Sequence, residues 1–347
     1  MKRAAVVIGA GASFEVHNGT VPVLNKELKP PLARQLFESR FWNHRRHYPG
    51  AEVLGAELGR LAMTSEDESF DLEARLTAYA DSKDERTRRA FKDIPPYLRD
   101  VLVRVNTDYV PSPTNYINLG RRLLQDETHE VFFIVLNYDT LLERALVRYD
   151  RSLAISSMDD YVVPTRQARV IKVHGSTNWA IPIPGTGRGE NQAKSWMSAL
   201  DEFEPTAAAG DEILLDEQTE TSLGWRDPNS RRILYPRLTA PLRGKTFSCP
   251  DGHTARLEEF LSECHKFLII GTSGLDDDLL KLMGETTSGT GYLVSYVDKD
   301  DKTLRVRGRF ERKVPSFLSS GPHSELFGGG FTSYLDTQAL EAFLARD

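Results

Sequence analysis

Ala4-Ala5-Val6-Val7-Ile8-Gly9-Ala10-Gly11-Ala12-Ser13 is the stretch that sets the class of fold. Its first five residues are apolar without alternation, the pattern of a strand buried on both faces of a parallel sheet. Glycines follow at once. They let a chain turn sharply and bring backbone N–H groups close to a phosphate. Gly9, Gly11, Ala12 and Ser13 are therefore candidate phosphate contacts; the plainer alternative is a tight turn with no ligand. The fingerprint of hydride-transferring dehydrogenases requires a third glycine at position 14, where Phe14 stands instead.

Working outward, the same strand-then-polar-loop pattern recurs. Buried strands are expected at Val131 to Leu136, Val170 to Val173, Phe267 to Ile270 and Tyr292 to Val297. A last strand near Phe331 to Leu335 is expected to lead into a helix capped by Asp336. Phe14 to Lys29 reads as a loop. Residues 31–124 read as a helical insertion divided by Pro95-Pro96 and Pro111 to Pro113, and residues 181–227 as a long loop-rich insertion. Strand, polar loop and helix in repetition predict an α/β fold, a doubly wound and mostly parallel sheet covered by helices.

The chain has 347 residues and a formal net charge of −6, which gives no reason to expect a nucleic-acid partner. Two cysteines, Cys249 and Cys264, argue for a reducing compartment. No signal peptide and no apolar run of membrane-spanning length is apparent, so the expected location is cytoplasmic, without a membrane partner. Cys249, His253, Cys264 and His265 match no common zinc spacing, and no metal is expected.

Four polar motifs follow buried strands: the glycine turn, Asn137-Tyr138-Asp139, His174-Gly175 and Gly271-Thr272-Ser273. In a doubly wound sheet the carboxyl ends of the strands share one edge, where ligands bind. Asn137 offers a donor and an acceptor and Asp139 acceptors, so the pair suits a ribose hydroxyl or a carboxamide; Asp139 equally suits a helix cap. His174 is placed for general base chemistry or for a satisfied structural role. Thr272 and Ser273 offer hydroxyls beside a glycine. Asp276-Asp277-Asp278 reads as a helix start.

This ordered set of motifs resembles the sirtuin-like NAD-binding domain, and most closely the divergent sirtuin-like proteins of bacterial anti-phage defence, which degrade NAD. The resemblance implies a single Rossmann-like domain over residues 1–347 with the helical module inserted. It implies NAD+ as substrate, held at the diphosphate by Gly9, Gly11, Ala12 and Ser13. Asn137 and Asp139 would face the nicotinamide ribose and carboxamide, and His174 would match the catalytic histidine. Gly271, Thr272, Ser273 and Asp298 would hold the adenosine ribose side. Deacylating sirtuins carry a four-cysteine zinc module between the histidine and Gly-Thr-Ser motifs. Here that interval holds only Cys249 and Cys264, and Val21-Pro22-Val23-Leu24 stands where those enzymes have Asp-Phe-Arg. The implied activity is NAD+ hydrolysis to nicotinamide and ADP-ribose, with Asn137 and His174 as the catalytic pair. By resemblance it would be gated by homo-oligomer assembly or by a partner ATPase. A deacylase or ADP-ribosyltransferase, and a non-catalytic NAD- or ADP-ribose-binding subunit, stand as alternatives.

Overall fold

The computed structural model describes residues 2–17, 29–64, 71–108, 113–125, 128–163, 167–183, 212–215, 233–244, 247–288, 290–318 and 324–346. These fall into two compact units: residues 1–24, 110–173 and 251–347 form one, and residues 25–109 and 174–250 the other.

The first unit is built on six strands: β1 (Lys2–Ile8), β2 (His129–Val135), β3 (Ala168–Lys172), β7 (Lys266–Ile270), β8 (Leu293–Val297) and β9 (Ser324–Phe327). Their order is β3-β2-β1-β7-β8-β9. Every pairing is parallel. The order is that of a Rossmann-like doubly wound sheet, and it reverses between β1 and β7. Crossovers between parallel strands are right-handed as a rule, and a reversal of strand order then sends the helices of the two halves to opposite faces. Residues Ala4 to Ile8 of the central β1 are wholly buried, as their unbroken apolar run predicts. Burial of each Val or Ile there contributes about 1.5–3 kcal/mol.

The helices of this unit are α1 (Ala10–Phe14), α7 (Thr114–Leu124), α8 (Leu141–Tyr149), α9 (Asp251–Ser262), α10 (Asp277–Thr286), α11 (Lys302–Lys313), α12 (Pro315–Leu318), α13 (Gly330–Asp336) and α14 (Ala339–Ala345). The Asp276 side chain accepts from the Leu279 amide at 3.1 Å, so the aspartate run serves the start of α10. One expectation is corrected: Phe331 to Leu335 is no strand but lies in α13, and the last strand is β9. The buried residues Phe331, Tyr334 and Leu335 follow the i, i+3, i+4 spacing of one helix face. The deciding contact comes from far away in sequence. The Glu15 carboxylate accepts the Phe331 and Thr332 amides at 2.8 and 3.2 Å, satisfying donors that a helix start leaves open. Asp336 ends α13 and caps nothing; Gln338 stands at the start of α14.

The second unit holds α2 (Trp42–Arg45), α3 (Pro49–Thr64), α4 (Leu72–Ala80), α5 (Glu85–Phe91) and α6 (Ile94–Asp108). It also holds an antiparallel sheet of β5 (Ile213–Leu214), β4 (Gly175–Ile183) and β6 (Ile233–Leu238), with β4 in the centre. Pro95 and Pro96 sit in the first turn of α6, where a missing amide breaks no helical bond. Arg99 Nε donates to the Thr177 carbonyl at 2.9 Å and Tyr235 Oη to the Lys92 carbonyl at 3.0 Å, which joins α6 and its approach to the sheet. Of the loop-rich 181–227 stretch, most lies outside the described residues, as does most of the 14–29 loop.

Glycine content separates two kinds of position. A Cβ on Gly9 would stand 2.5 Å from the Gly271 carbonyl and 2.6 Å from Thr272 Cα, whereas one on Gly308, within α11, would meet nothing within 4 Å. Gly9→Ala is expected to lower stability by about 2–3 kcal/mol. Gly308→Ala is expected to raise it by about 0.5–1 kcal/mol, as alanine is the better helix former. Denaturant unfolding of both variants checks the pair.

Candidate functional site

The glycine turn and the loop after β7 lock together. Gly9 N–H donates to the Ile270 carbonyl at 2.9 Å and Gly11 N–H to the Gly271 carbonyl at 2.8 Å. Gly271 adopts a left-handed φ of 59°, and a Cβ there would lie 2.3 Å from the Ala12 nitrogen. The glycines thus have a structural task on both sides of the point where strand order reverses: they allow the two backbones to meet. Two of the turn's amides are consumed in that contact.

Behind the turn, at the carboxyl ends of β1 and β2, lies a buried polar network. Asn137 Nδ2 donates to the Gly9 carbonyl at 3.0 Å and to Ser13 Oγ at 2.9 Å. The carbonyl can only accept, which settles the amide's orientation. Ser13 Oγ lies 2.9 Å from Asp139 Oδ2 and 2.8 Å from the Tyr116 hydroxyl. A carboxylate only accepts, so the single Ser13 proton goes to Asp139. Ser13 then accepts from Asn137 and from Tyr116, and Tyr116 must donate. Asp139 Oδ1 accepts the Leu141 amide at 3.2 Å, so this carboxylate caps α8 as well as binding Ser13. Burial, reinforced by the charge of Asp139, raises the Tyr116 phenol well above its ordinary pKa, which keeps it a donor. With both Nδ2 protons of Asn137 committed, what remains for a ligand is the acceptor Oδ1.

Beneath this network, Lys172 at the end of β3 donates to the Asp139 carbonyl and pairs with Glu143 Oε1 at 3.2 Å. Burial raises the Glu143 carboxyl, against the lowering effect of the Lys172 charge.

On the other side of the switch point, Thr272 is buried and its Oγ1 accepts the Gly274 amide at 3.2 Å. Ser273 is exposed, and its carbonyl accepts from Arg309 Nη1 at 2.6 Å. Asp298 follows β8. Its Oδ1 accepts the Lys299 amide at 2.7 Å, and burial raises its carboxyl pKa. Ser13, Asn137 and Asp139 are thus brought into direct contact, while Thr272, Ser273 and Asp298 stand at the ends of the neighbouring strands.

His174 belongs to the second unit. It does not open a loop leading to a helix, as the repeated pattern would have it; Gly175 begins β4 immediately after it. Its carbonyl accepts the Thr239 amide at 3.0 Å, and its buried ring lies 6.2 Å from that of Phe247. Gly175 has φ of 83°, and a Cβ there would lie 2.1 Å from the Arg237 carbonyl, so the backbone that follows the histidine packs closely against β6.

Tyr116, Glu143 and Lys172 were not read as site residues from the sequence. Lys172 did carry a signal, being a charge inside the apolar run Val170-Ile171-Lys172-Val173. Tyr116 carried none. Cys249 and Cys264 are buried free thiols, and among the described residues no group of three or more metal-ligating side chains occurs. No helix of the described residues is long and apolar enough to cross a membrane.

No protein-family model and no curated protein matches this chain. Among solved structures, it is similar to a mutant Sir2 homologue in complex with ADP-ribose, at 13% identity and a TM-score of 0.47 over 100% of this chain and 95% of that one. A Sir2 structure with a p53 peptide and NAD+ matches at 11% identity and a TM-score of 0.42, over 99% and 94% of the two chains. A third structure, described as bearing on the mechanism and regulation of Sir2 enzymes, matches at 15% identity and 0.43, over 98% and 94%. Likeness at this level assigns no role to any residue here.

Two outcomes test the site's geometry. Ser13→Ala strands the donors of Asn137 and Tyr116 and is expected to cost about 1–3 kcal/mol, whereas Tyr116→Phe leaves Ser13 its other partners and costs about 1 kcal/mol; thermal unfolding separates them. For Asp298 the folded pKa is raised, so its favourable contribution is present at low pH and lost as pH rises through the folded value. Asp298→Asn is therefore expected to unfold at a higher temperature than the parent near pH 7, with the difference vanishing below the ordinary carboxylate range.

Proposed function

We propose that this chain is an NAD+ glycohydrolase, cleaving NAD+ to nicotinamide and ADP-ribose. The observation that carries the reading is Asn137: its amide protons are both spent on Gly9 and Ser13, so a buried side chain just beyond β2, in contact with the glycine turn, is left with one oriented acceptor. The ordered motifs resembling a sirtuin-like NAD site support it further, and ligands of doubly wound sheets bind at this edge.

The nicotinamide–ribose bond breaks with oxocarbenium-like charge on the ribose, and the bond's electron pair leaves with nicotinamide. In this reading Asn137 Oδ1 accepts from the attacking water or a ribose hydroxyl and orients it. His174 takes the proton released as the water oxygen bonds to the ribose carbon. The diphosphate lies along residues 9–13, and the adenosine ribose meets Thr272, Ser273 and Asp298. Asp139, whose oxygens are engaged by Ser13 and Leu141, holds the network that orients Asn137. Unrestrained NAD+ hydrolysis depletes a cell of its cofactor, so the reading includes gating by self-assembly or by a separate ATPase subunit, as the resemblance to defence proteins implies.

Chromatography of NAD+ incubated with purified protein tests the reading. Wild type is expected to release nicotinamide and ADP-ribose, and Asn137→Ala or His174→Ala to slow release on the order of 10²- to 10⁴-fold. If wild type leaves NAD+ intact, both alone and with the protein encoded beside it, the enzyme reading is wrong. Consumption only in the presence of an acyl-lysine peptide would make it a deacylase.

A further inference from the structure

Lys172 has no exposed surface at all, at 0%. Lysine is almost never fully buried unless its charge is answered. Glu143, itself buried on α8, answers it at 3.2 Å. For stability alone, two well-packed apolar residues commonly do as well as such a pair, since desolvation offsets most of the attraction. What an apolar pair cannot do is donate a hydrogen bond. Lys172 directs its ammonium at the main-chain carbonyl of Asp139, two residues beyond Asn137 and in the loop between β2 and α8.

Asp139 is thereby held from three directions: Oδ2 by Ser13, Oδ1 by the Leu141 amide, and its carbonyl by Lys172. The first two contacts fix the side chain against α1 and the start of α8. Only the third grips the main chain of the loop from β3. We infer that Lys172 is a positioning residue: balanced by Glu143, its ammonium clamps the Asn137–Asp139 loop so that Asn137 stays in register with Gly9 and Ser13. The role at the site rests on the NAD+ reading; the clamp itself does not.

Two readouts keep these apart. Amide hydrogen exchange at residues 137–141 reports the clamp whether or not NAD+ is turned over, and steady-state kinetics report its consequence. The variant is Lys172→Met/Glu143→Leu, which removes the charge pair together and leaves no buried ion alone. It is expected to unfold near the wild-type temperature, yet to exchange at 137–141 at least about tenfold faster. Its kcat for NAD+ is expected to fall about 10- to 100-fold with KM little changed, as for a displaced catalytic group. Lys266→Met is the control. Lys266 is also buried and donates its Nζ to a carbonyl, that of Leu344 at 2.6 Å, but it lies at the amino end of β7, away from the carboxyl ends of the strands where Asn137 stands. It should leave exchange at 137–141 unchanged. If the apolar pair does not fold, Lys172→Met/Glu143→Gln makes the same comparison, since methionine has no donor to offer the Asp139 carbonyl. A folded variant of either kind with wild-type exchange at 137–141 overturns the clamp. Faster exchange with unchanged kcat overturns its role in catalysis.

Discussion

The close approach of the Gly9–Gly11 backbone to Gly271 is the contact on which the first unit's polar site depends. Neither side tolerates a Cβ: one on Gly9 or Gly11 would meet Gly271, and one on Gly271 would meet Ala12 and Gly11. With the backbones in contact, the Gly9 carbonyl turns to receive Asn137, and Ser13, one helical turn on, becomes the second acceptor for the same amide. Asp139 then closes on Ser13, and Lys172 holds the carbonyl of Asp139 from β3. Each link is a hydrogen bond between groups withdrawn from water, where an unmade bond costs more than a made one gains. The arrangement is therefore fixed by mutual satisfaction.

This changes what the glycines mean. Read alone, they offer amides to a phosphate. In the fold, the amides of Gly9 and Gly11 are engaged by the end of β7 and that of Ala12 by the Gly9 carbonyl, and the glycines serve first to bring β1 and β7 together at the strand-order reversal. In the proposed NAD+ reading, the ligand-facing chemistry passes to what they position: the acceptor of Asn137 on one side and the loop from Gly271 to Ser273 on the other. Glu15 extends the same economy of contacts. One residue past α1, it satisfies the first amides of α13 and pairs with Lys299 at 2.7 Å, tying the glycine turn to the far end of the chain.

Ala4 to Ile8, Val131 to Leu136 and Phe267 to Ile270 were legible as buried strands because a strand covered on both faces needs no alternation. The parallel class of the sheet and the polar motifs at its strand ends followed from the same runs. Phe331 to Leu335 was misread because five apolar and hydroxyl residues fit either period, and the donor-capping carboxylate of Glu15 lies more than three hundred positions away. β4 and β6 were missed because their pairing is antiparallel across a long separation and leaves no local signature.

The sequence by itself determined the buried parallel strands β1, β2, β3, β7 and β8, the glycine turn and the residue types able to handle a ribose or a phosphate, since these follow from local composition and period. Only the tertiary structure decided strand order, the spending of both Asn137 protons, the donor role of Tyr116 and the burial of Lys172. Those outcomes depend on which polar groups meet once water is excluded, and hydrogen-bond partners more than a hundred residues apart are chosen by packing rather than by spacing.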